Sequence, residues 1–257
     1  MKRIWLLVNG LALSAALSAG ATPLSEGLAL QRSRDDHQAL LRFHEAWSTA
    51  TDDRTRFKAA LLSARSNNAL TRFADALKDL ARTSDLTDAP DLMELRAFER
   101  ARALAGSEAP EAIAALQGFI AGHGASPLVT QASLLLGQAA ARMGNAALAT
   151  EVLAPLTASS ARDIRSEAML ALALVAPLDR RVDLLTQVFV TLPDTPAATR
   201  TGLKESDLTQ DRLLARADAF HDAMDYEQAQ RLWEGAWLAG EGRPDLAYKL
   251  ARSHLIE

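Results

Sequence analysis

Apolar and small residues recur along most of this chain at the three- and four-residue spacing of an amphipathic helix. The segment 211–236 shows the pattern most clearly. Ala217 and Phe220 share one face of a first predicted helix, and Ala229 and Trp233 share one face of a second. The two alanines let antiparallel helices approach closely, and the aromatic rings fill the seam beside them. The pattern therefore predicts a helix pair.

The same skeleton of small and large residues returns along the chain. The small residue of the first helix gives the period, at Gly27, Ala64, Ala101, Gly137, Ala173, Ala217 and Ala251, with separations of 37, 37, 36, 36, 44 and 34 residues. The matching positions of the second helix are Ala39, Ala76, Ala112, Ala149, Leu185 and Ala229. A repeat of this length predicts helix pairs that stack and bury one another's apolar faces.

The step of 44 residues contains the one predicted interruption of the array. Pro193 and Pro196 are typical of a turn, and a polar stretch follows them. The predicted organisation is repeats one to five at 22–192, a linker or hinge at 193–207, and repeat six with half of repeat seven at 208–257.

This skeleton resembles the tetratricopeptide repeat, a helix pair with small residues at its eighth and twentieth positions and large ones between. The resemblance is strong in three units and degenerate in the others, and most units lack the usual repeat-ending proline. It implies an all-α fold, a right-handed α-solenoid of about six and a half helix pairs. An irregular helical bundle with accidental spacing is the alternative.

The first residues predict export. Lys2 and Arg3 precede an apolar run at 4–17, and a small-x-small motif ends at Ala21. The run is shorter than the roughly 20 apolar residues that a bilayer-spanning helix needs. We therefore predict a signal peptide at 1–21, cleaved after Ala21, and a periplasmic or secreted protein without a membrane span after cleavage. An uncleaved anchor is the alternative.

Composition narrows the chemistry further. The chain has no cysteine, which excludes disulfides, zinc–thiolate sites and thiol nucleophiles. It carries 28 basic and 32 acidic side chains, a net charge of −4, and loss of Lys2 and Arg3 with the leader takes this to −6. An acidic surface repels phosphate backbones, so we expect no nucleic-acid partner.

We recognise no catalytic, cofactor or metal site in the sequence. The acidic pairs Asp35–Asp36 and Asp52–Asp53 fall in predicted turns, where aspartate caps helices. His37 and His44 can share a helix face, but no third ligand lies at a useful spacing. We therefore expect the protein to bind no cofactor.

A looser resemblance is to the superhelical region of soluble lytic murein transglycosylases, most closely at Leu192–Ala198 and Leu208–Ala236. In that family a lysozyme-like domain follows the helical array, with a catalytic Glu-Ser pair and a downstream Gly-Leu-Met-Gln stretch. Here Glu205-Ser206 is the one matching pair, and no such stretch follows it. The resemblance implies an array without the catalytic domain.

The tetratricopeptide resemblance also implies a concave groove lined by first helices. Its candidate residues are Lys58, Arg65 and Asn68 in the second unit, Gln131, Gln138 and Arg142 in the fourth, and Asp211, Asp218 and His221 in the sixth. Basic and amide side chains precede an acidic end. We expect an extended peptide with its acidic groups toward the N-terminal half; a solvated face of mixed charge is the alternative.

Taken together, these patterns predict an exported, non-catalytic scaffold that binds a protein or peptide partner, with the cell-wall machinery as one such partner. The alternative is the truncated superhelical domain of a peptidoglycan lytic transglycosylase. The last predicted helix is apolar at Leu246, Leu250, Leu255 and Ile256. This predicts an end that is either docked on a partner or cut short.

Overall fold

The computed structural model describes residues 22–84, 90–240 and 244–253, and these residues form helices and no strands. The all-α class expected from the sequence is confirmed. The predicted signal peptide at 1–21 lies outside the described residues. The chain divides between His123 and Gly124 into two compact units, each described below by itself.

The first unit has six helices among its described residues, arranged as three successive pairs. Each helix packs on its neighbours along the chain, and the first helices of consecutive pairs also touch. The helices are α1 (Pro23–Arg32), α2 (Asp36–Thr49), α3 (Asp53–Ala69), α4 (Phe73–Ala81), α5 (Pro90–Gly106) and α6 (Ala112–Gly122).

The second unit has eight helices among its described residues and the same sequential packing. They are α7 (Val129–Arg142), α8 (Ala146–Leu153), α9 (Arg162–Val175), α10 (Leu178–Thr191), α11 (Pro196–Thr199), α12 (Gln210–Asp222), α13 (Tyr226–Leu238) and α14 (Pro244–Ser253). Short 3-10 turns lie at Pro155–Ala158 and Glu205–Asp207. Packing of each helix on its sequence neighbours is the arrangement of an α-solenoid.

One type of turn closes five of the helix pairs. Each has a residue with φ between 55° and 75°, at Arg34, Thr71, Glu108, Gly144 and Met224. The N–H of that residue donates to the carbonyl three residues back, and the next N–H donates to the carbonyl five residues back. The last carbonyls of each first helix are thereby satisfied. The first four of these residues follow one another at 37, 37 and 36 residues, the period predicted from the small residues.

The small residues of the skeleton are the points of closest helix approach. The second-helix alanines are fully buried, at Ala39, Ala76, Ala112, Ala149 and Ala229. Two first helices approach so closely that they need glycine. A Cβ on Gly137 would lie 2.3 Å from Cγ of Leu153, and a Cβ on Gly27 would lie 2.5 Å from the ring of Phe43.

The fifth pair closes differently. Its turn has no left-handed residue, and α9 ends at an extended Ala176 followed by Pro177. The side chain of Arg181 donates from Nε to the carbonyl of Ala173 at 2.8 Å, which satisfies one carbonyl at the end of α9. Leu185 is half-buried where the other pairs have a fully buried alanine. The fifth unit, one of those in which the repeat skeleton is degenerate, thus forms a helix pair with a different type of turn.

The segment 193–207 belongs to the second unit and packs within it. Thr195 is 3% exposed and Ala197 is fully buried. The carboxylate of Asp194 forms a salt bridge with Arg162 at the start of α9. The boundary between the two compact units lies between His123 and Gly124, outside this segment. The hinge at 193–207 stays a prediction.

The predicted seventh first helix is α14. Leu246 is 1% exposed and belongs to the core cluster of α12 and α13. On the other side of α14, Tyr248 and Ala251 are exposed. Leu255 and Ile256, which the sequence analysis grouped with this helix, lie outside the described residues.

Candidate functional site

The groove candidates of the second pair lie on α3. Lys58 is half-buried and Arg65 is exposed, with its Nε 4.0 Å from Oε1 of Glu99 on α5. Asn68 is 2% exposed, and its Nδ2 donates both to Oε2 of Glu99 at 2.8 Å and to the Glu99 carbonyl at 2.9 Å. Asn68 therefore ties the first helix of one pair to the first helix of the next.

The candidates of the fourth pair lie on α7. Gln131 and Arg142 are exposed. Gln138 donates from Nε2 to Oε2 of Glu167 on α9 at 3.2 Å. Glu167 also forms a salt bridge with Arg200, which follows α11. Gln138 thus takes part in a polar contact between two first helices of the second unit.

The candidates of the sixth pair lie on α12. Asp211 is exposed, and Asp218 accepts hydrogen bonds from Nζ of Lys249 on α14 at 2.7 and 2.8 Å. Asp218 also accepts a bond from Nε1 of the buried Trp233 at 3.1 Å. His221 is half-buried, with its ring 5.5 Å from that of Trp233. Asp218 is therefore a tether between first helices, as Asn68 and Gln138 are.

The structure thus divides the nine predicted groove residues into two sets. Three of them, Asn68, Gln138 and Asp218, hold first helices together. The other six leave part of their side chains accessible: Lys58, Arg65, Gln131, Arg142, Asp211 and His221. Each triplet lies on a single helix, so its members share one element. That these residues bind a partner stays a prediction.

Glu99 is a buried carboxyl that the sequence analysis did not single out. It is 1% exposed, and its partners are Asn68, Arg65 and Arg102, with Arg102 NH1 3.6 Å from Oε2. Burial raises the pKa of Glu99 above its usual value, while the Asn68 hydrogen bond and the two guanidinium groups oppose that rise. The group sits between first helices and forms part of the structural layer of the first unit.

A polar cleft of about 460 Å³ lies between α2 and α4, with Asn67 of α3 also in its lining. Both histidines discussed as a possible pair, His37 and His44, line it. The charged residues of its wall are Arg72, Asp75, Lys78, Asp79 and Arg82. Charges of both signs face this cleft, so it favours no simple cation or anion.

One hydrogen-bond network at the cleft joins the buried side chains of Ser63, Asn67 and Asp79 to the exposed His44. Oγ of Ser63 donates to Oδ2 of Asp79 at 2.6 Å, and Nδ2 of Asn67 donates to the same oxygen at 2.9 Å. Nε2 of His44 lies 3.2 Å from Oγ of Ser63. Since Ser63 gives its proton to the carboxylate, His44 is the donor to Oγ. A nucleophilic serine instead gives its proton to histidine, so this network does not activate Ser63.

Glu205, the residue that matches the Glu-Ser pair, is held by cations. Its two carboxylate oxygens accept bonds from Arg231 at 2.6 and 3.0 Å, and Nε of Arg216 is 3.8 Å away. The hydrogen bonds from Arg231 hold the pKa of Glu205 below its usual value. A general acid in glycoside cleavage needs a raised pKa, so this environment opposes that role. That the chain is the truncated superhelical domain of a lytic transglycosylase stays a prediction.

The two acidic pairs at predicted turns do cap helices. Oδ1 of Asp35 accepts the N–H of Gln38 at 3.1 Å, and Oδ1 of Asp52 accepts the N–H of Thr55 at 2.8 Å. The latter bond lowers the pKa of Asp52. These carboxylates stabilise the starts of α2 and α3.

Within residues 22–84, 90–240 and 244–253, no helix combines the length and apolar character needed to cross a bilayer. In the same ranges, no three His, Asp or Glu side chains come together as a set that could ligate a metal ion.

The two buried carboxylates that were not predicted from the sequence, Asp79 and Glu99, occupy positions that a sequence pattern can identify. Asp79 lies on the same helical face as Ala76 and Leu80, at positions i, i+3 and i+4, and Glu99 is flanked by core residues Phe98 and Ala101. An ionisable residue at core spacing indicates a buried polar contact. Its partners come from other helices, so the pattern along one helix does not identify them.

Comparison of the chain with protein-family models finds no match, and comparison with characterised proteins finds none either.

Proposed function

We propose that the protein is an exported helical-repeat scaffold of the tetratricopeptide type that binds a protein or peptide partner and has no catalytic role of its own. The observation that carries this proposal is the turn shared by five helix pairs, the first four of which follow one another at 36 or 37 residues. Arrays of such units expose long surfaces built from equivalent helix positions, and such surfaces suit extended chains.

The packing of the pairs other than the fifth supports the tetratricopeptide type in particular. Small residues occupy the eighth and twentieth positions of these pairs, and in the sixth pair they are Ala217 and Ala229, both fully buried. The large residue that fills the seam is Trp233, which is 2% exposed. The first and fourth pairs use glycine at the eighth position, where a Cβ would collide with the second helix.

The leader pattern at 1–21 supports export, and the start of α1 is compatible with it. Thr22 caps α1 through its side chain, which accepts the N–H of Ser25 at 3.3 Å. Cleavage after Ala21 keeps this cap in the mature chain. N-terminal sequencing of the protein purified from a periplasmic fraction should read Thr22 first; a retained leader in that fraction would argue against signal-peptidase cleavage.

The partner surface that we favour includes Lys58 and Arg65 on α3. Both are on one helix face seven residues apart, and the Arg65 side chain is 51% exposed. Cations on the exposed face of a repeat helix attract acidic segments, mainly by raising the association rate. An acidic extended peptide is therefore the partner class that we propose for the first unit.

The test is a double charge reversal, Lys58→Glu with Arg65→Glu. Partners are captured from an envelope extract with the wild-type chain, and affinity for the purified partner is then measured. We expect the double variant to bind about ten-fold more weakly or worse, since two attractive contacts become repulsive. Arg180→Glu, on the exposed face of α10, is the matched control and should bind as the wild type does. Equal affinity of the double variant and the wild type would reject this surface.

A further inference from the structure

A second cavity of about 440 Å³ lies in the first unit, between α5 and α6. It is separate from the predicted groove residues and from the polar cleft. Helix α5 faces it with Met93, Arg96, Ala97 and Arg100, and α6 faces it with Ala115, Gly118 and Phe119, followed by His123. The spacing of these residues places each set on one side of its helix. The cavity is therefore a groove between the two helices of one pair.

Its polar groups are cationic or hydrogen-bond donors. Nε of Arg96 is buried and has no hydrogen-bond partner among the described residues. Arg100, an exposed residue one helical turn along, also lines the cavity. Among the residues that the structure describes, no carboxylate lines the cavity. A buried guanidinium nitrogen without an acceptor is costly, which points to a bound acceptor.

The rest of the wall is apolar and small. Phe119 is 3% exposed and packs on Phe98, with ring centroids 5.5 Å apart. The His123 ring lies against Phe119 at 4.8 Å between centroids, so it holds one end of the cavity. Gly118 and Ala115 leave room between the helices. A Cβ added at Gly118 would meet no atom within 4 Å.

We propose that this cavity binds an organic carboxylate with a small apolar body, such as the C-terminal residue of a peptide. Guanidinium groups recognise the planar carboxylate through paired N–H donors. The floor of Ala97, Ala115 and Phe119 takes the hydrocarbon part. A volume of about 440 Å³ falls within the range of small-ligand sites. Inorganic phosphate has no apolar part, so this floor gains nothing by binding it.

The proposal is tested by calorimetric titration of the full-length chain with four probes. They are N-acetyl-leucine, its amide, inorganic phosphate, and an acetylated tetra-alanyl-leucine peptide with a free carboxylate. We expect both carboxylates to bind and the amide and phosphate to bind at least ten-fold more weakly, because neither combines a carboxylate with an apolar body. A peptide that binds more tightly than N-acetyl-leucine identifies a chain end as the ligand source. Equal affinities identify a free small molecule.

Two variants locate the site. Arg96→Gln removes the guanidinium, and Gly118→Leu places a side chain in the cavity at a position where a Cβ meets no atom within 4 Å. Each variant should weaken N-acetyl-leucine binding about ten-fold or more. Their matched controls are Arg180→Gln on α10 and Gly235→Leu on α13, where a Cβ also meets open space. Circular dichroism checks that each variant keeps its helices.

Three results would overturn the proposal. The first is no binding of either carboxylate to the wild-type chain. The second is equal binding of N-acetyl-leucine and its amide, because the carboxylate would then make no difference. The third is unchanged affinity in a helical Arg96→Gln or Gly118→Leu protein.

Discussion

At the scale of single residues, the carboxyl group of Glu99 makes the stability of the first unit depend on pH. Burial is the largest influence on this group and raises its pKa above the ordinary 4.5. In the unfolded chain the carboxyl regains its ordinary value, so the folded protein holds the proton more tightly. The stabilising contribution is fully present below pH 4.5 and is lost as pH rises through the raised pKa.

Glu99→Gln removes this titration while keeping the shape of the side chain. We expect the free energy of unfolding of the variant, relative to the wild type, to rise as pH increases from about 4 to about 7. Denaturant unfolding at a series of pH values measures this difference.

Glu205→Gln provides a control of opposite sign. Arg231 lowers the pKa of Glu205, so its contribution is present above 4.5 and is lost as pH falls. Relative to the wild type, this variant should lose stability as pH rises through the lowered pKa.

Parallel stability curves for Glu99→Gln and the wild type would show that Glu99 does not ionise differently in the folded state.

At the scale of elements, the turn that closes five helix pairs is strained where its left-handed residue is not glycine. Gly144 adopts φ 75° without a Cβ, whereas Met224 adopts φ 64° with one. The Met224 side chain is 75% exposed, so it contributes little packing. The turn between α12 and α13 is therefore held in its conformation by the two helices that it joins.

Met224→Gly should stabilise the protein by about 1 kcal/mol, because glycine adopts positive φ without steric cost. The control is Met143→Gly, at the residue before Gly144, where φ is −79°. There glycine only adds freedom to the unfolded chain and should destabilise the protein by about 0.5–1 kcal/mol. Thermal unfolding of the two variants measures both effects, and a loss of stability in Met224→Gly would contradict the strain assigned to this turn.

The helix pairs could be predicted from the sequence because close helix approach restricts residue size. Gly27 and Gly137 sit where a Cβ would overlap the second helix, and such a restriction repeats with the structure. The polar contacts could not be predicted in the same way. Asn68 was predicted to line a groove, yet it is covered by Glu99, which lies 31 residues further along the chain. Its burial depends on the neighbouring pair, which no pattern within α3 reveals.

At the scale of the whole molecule, the two compact units have cores of their own. The first unit has a cluster around Phe57, Leu61 and Leu80, and the second has one around Phe220 and Trp233. Each unit contains about a hundred residues or more, enough to bury a core without support. The division at His123 falls between the third and fourth helix pairs.

We therefore expect the fragments 22–123 and 124–257 to fold when expressed separately. Each should show helical circular dichroism and a single cooperative thermal transition. A cut placed inside a unit, between α3 and α4, is the control and should leave at least one piece unfolded, since it separates Phe57 from Leu80. Failure of either of the two fragments to unfold cooperatively would mean that the units depend on one another.

At four junctions between consecutive first helices, a different pair of polar side chains joins the two helices. Gln31 meets Ser66, Asn68 meets Glu99, Gln138 meets Glu167, and Asp218 meets Lys249. No two of these residue pairs are alike. A helix that packed on the wrong neighbour would leave a polar group without a hydrogen-bond partner in the interface, which costs about 1–3 kcal/mol for each such group. This cost disfavours mispairing of similar helices within one chain and domain swapping between two copies at high concentration. The helix pairs share one skeleton of small and large residues, but at these four junctions the polar contact is satisfied only by the native neighbour.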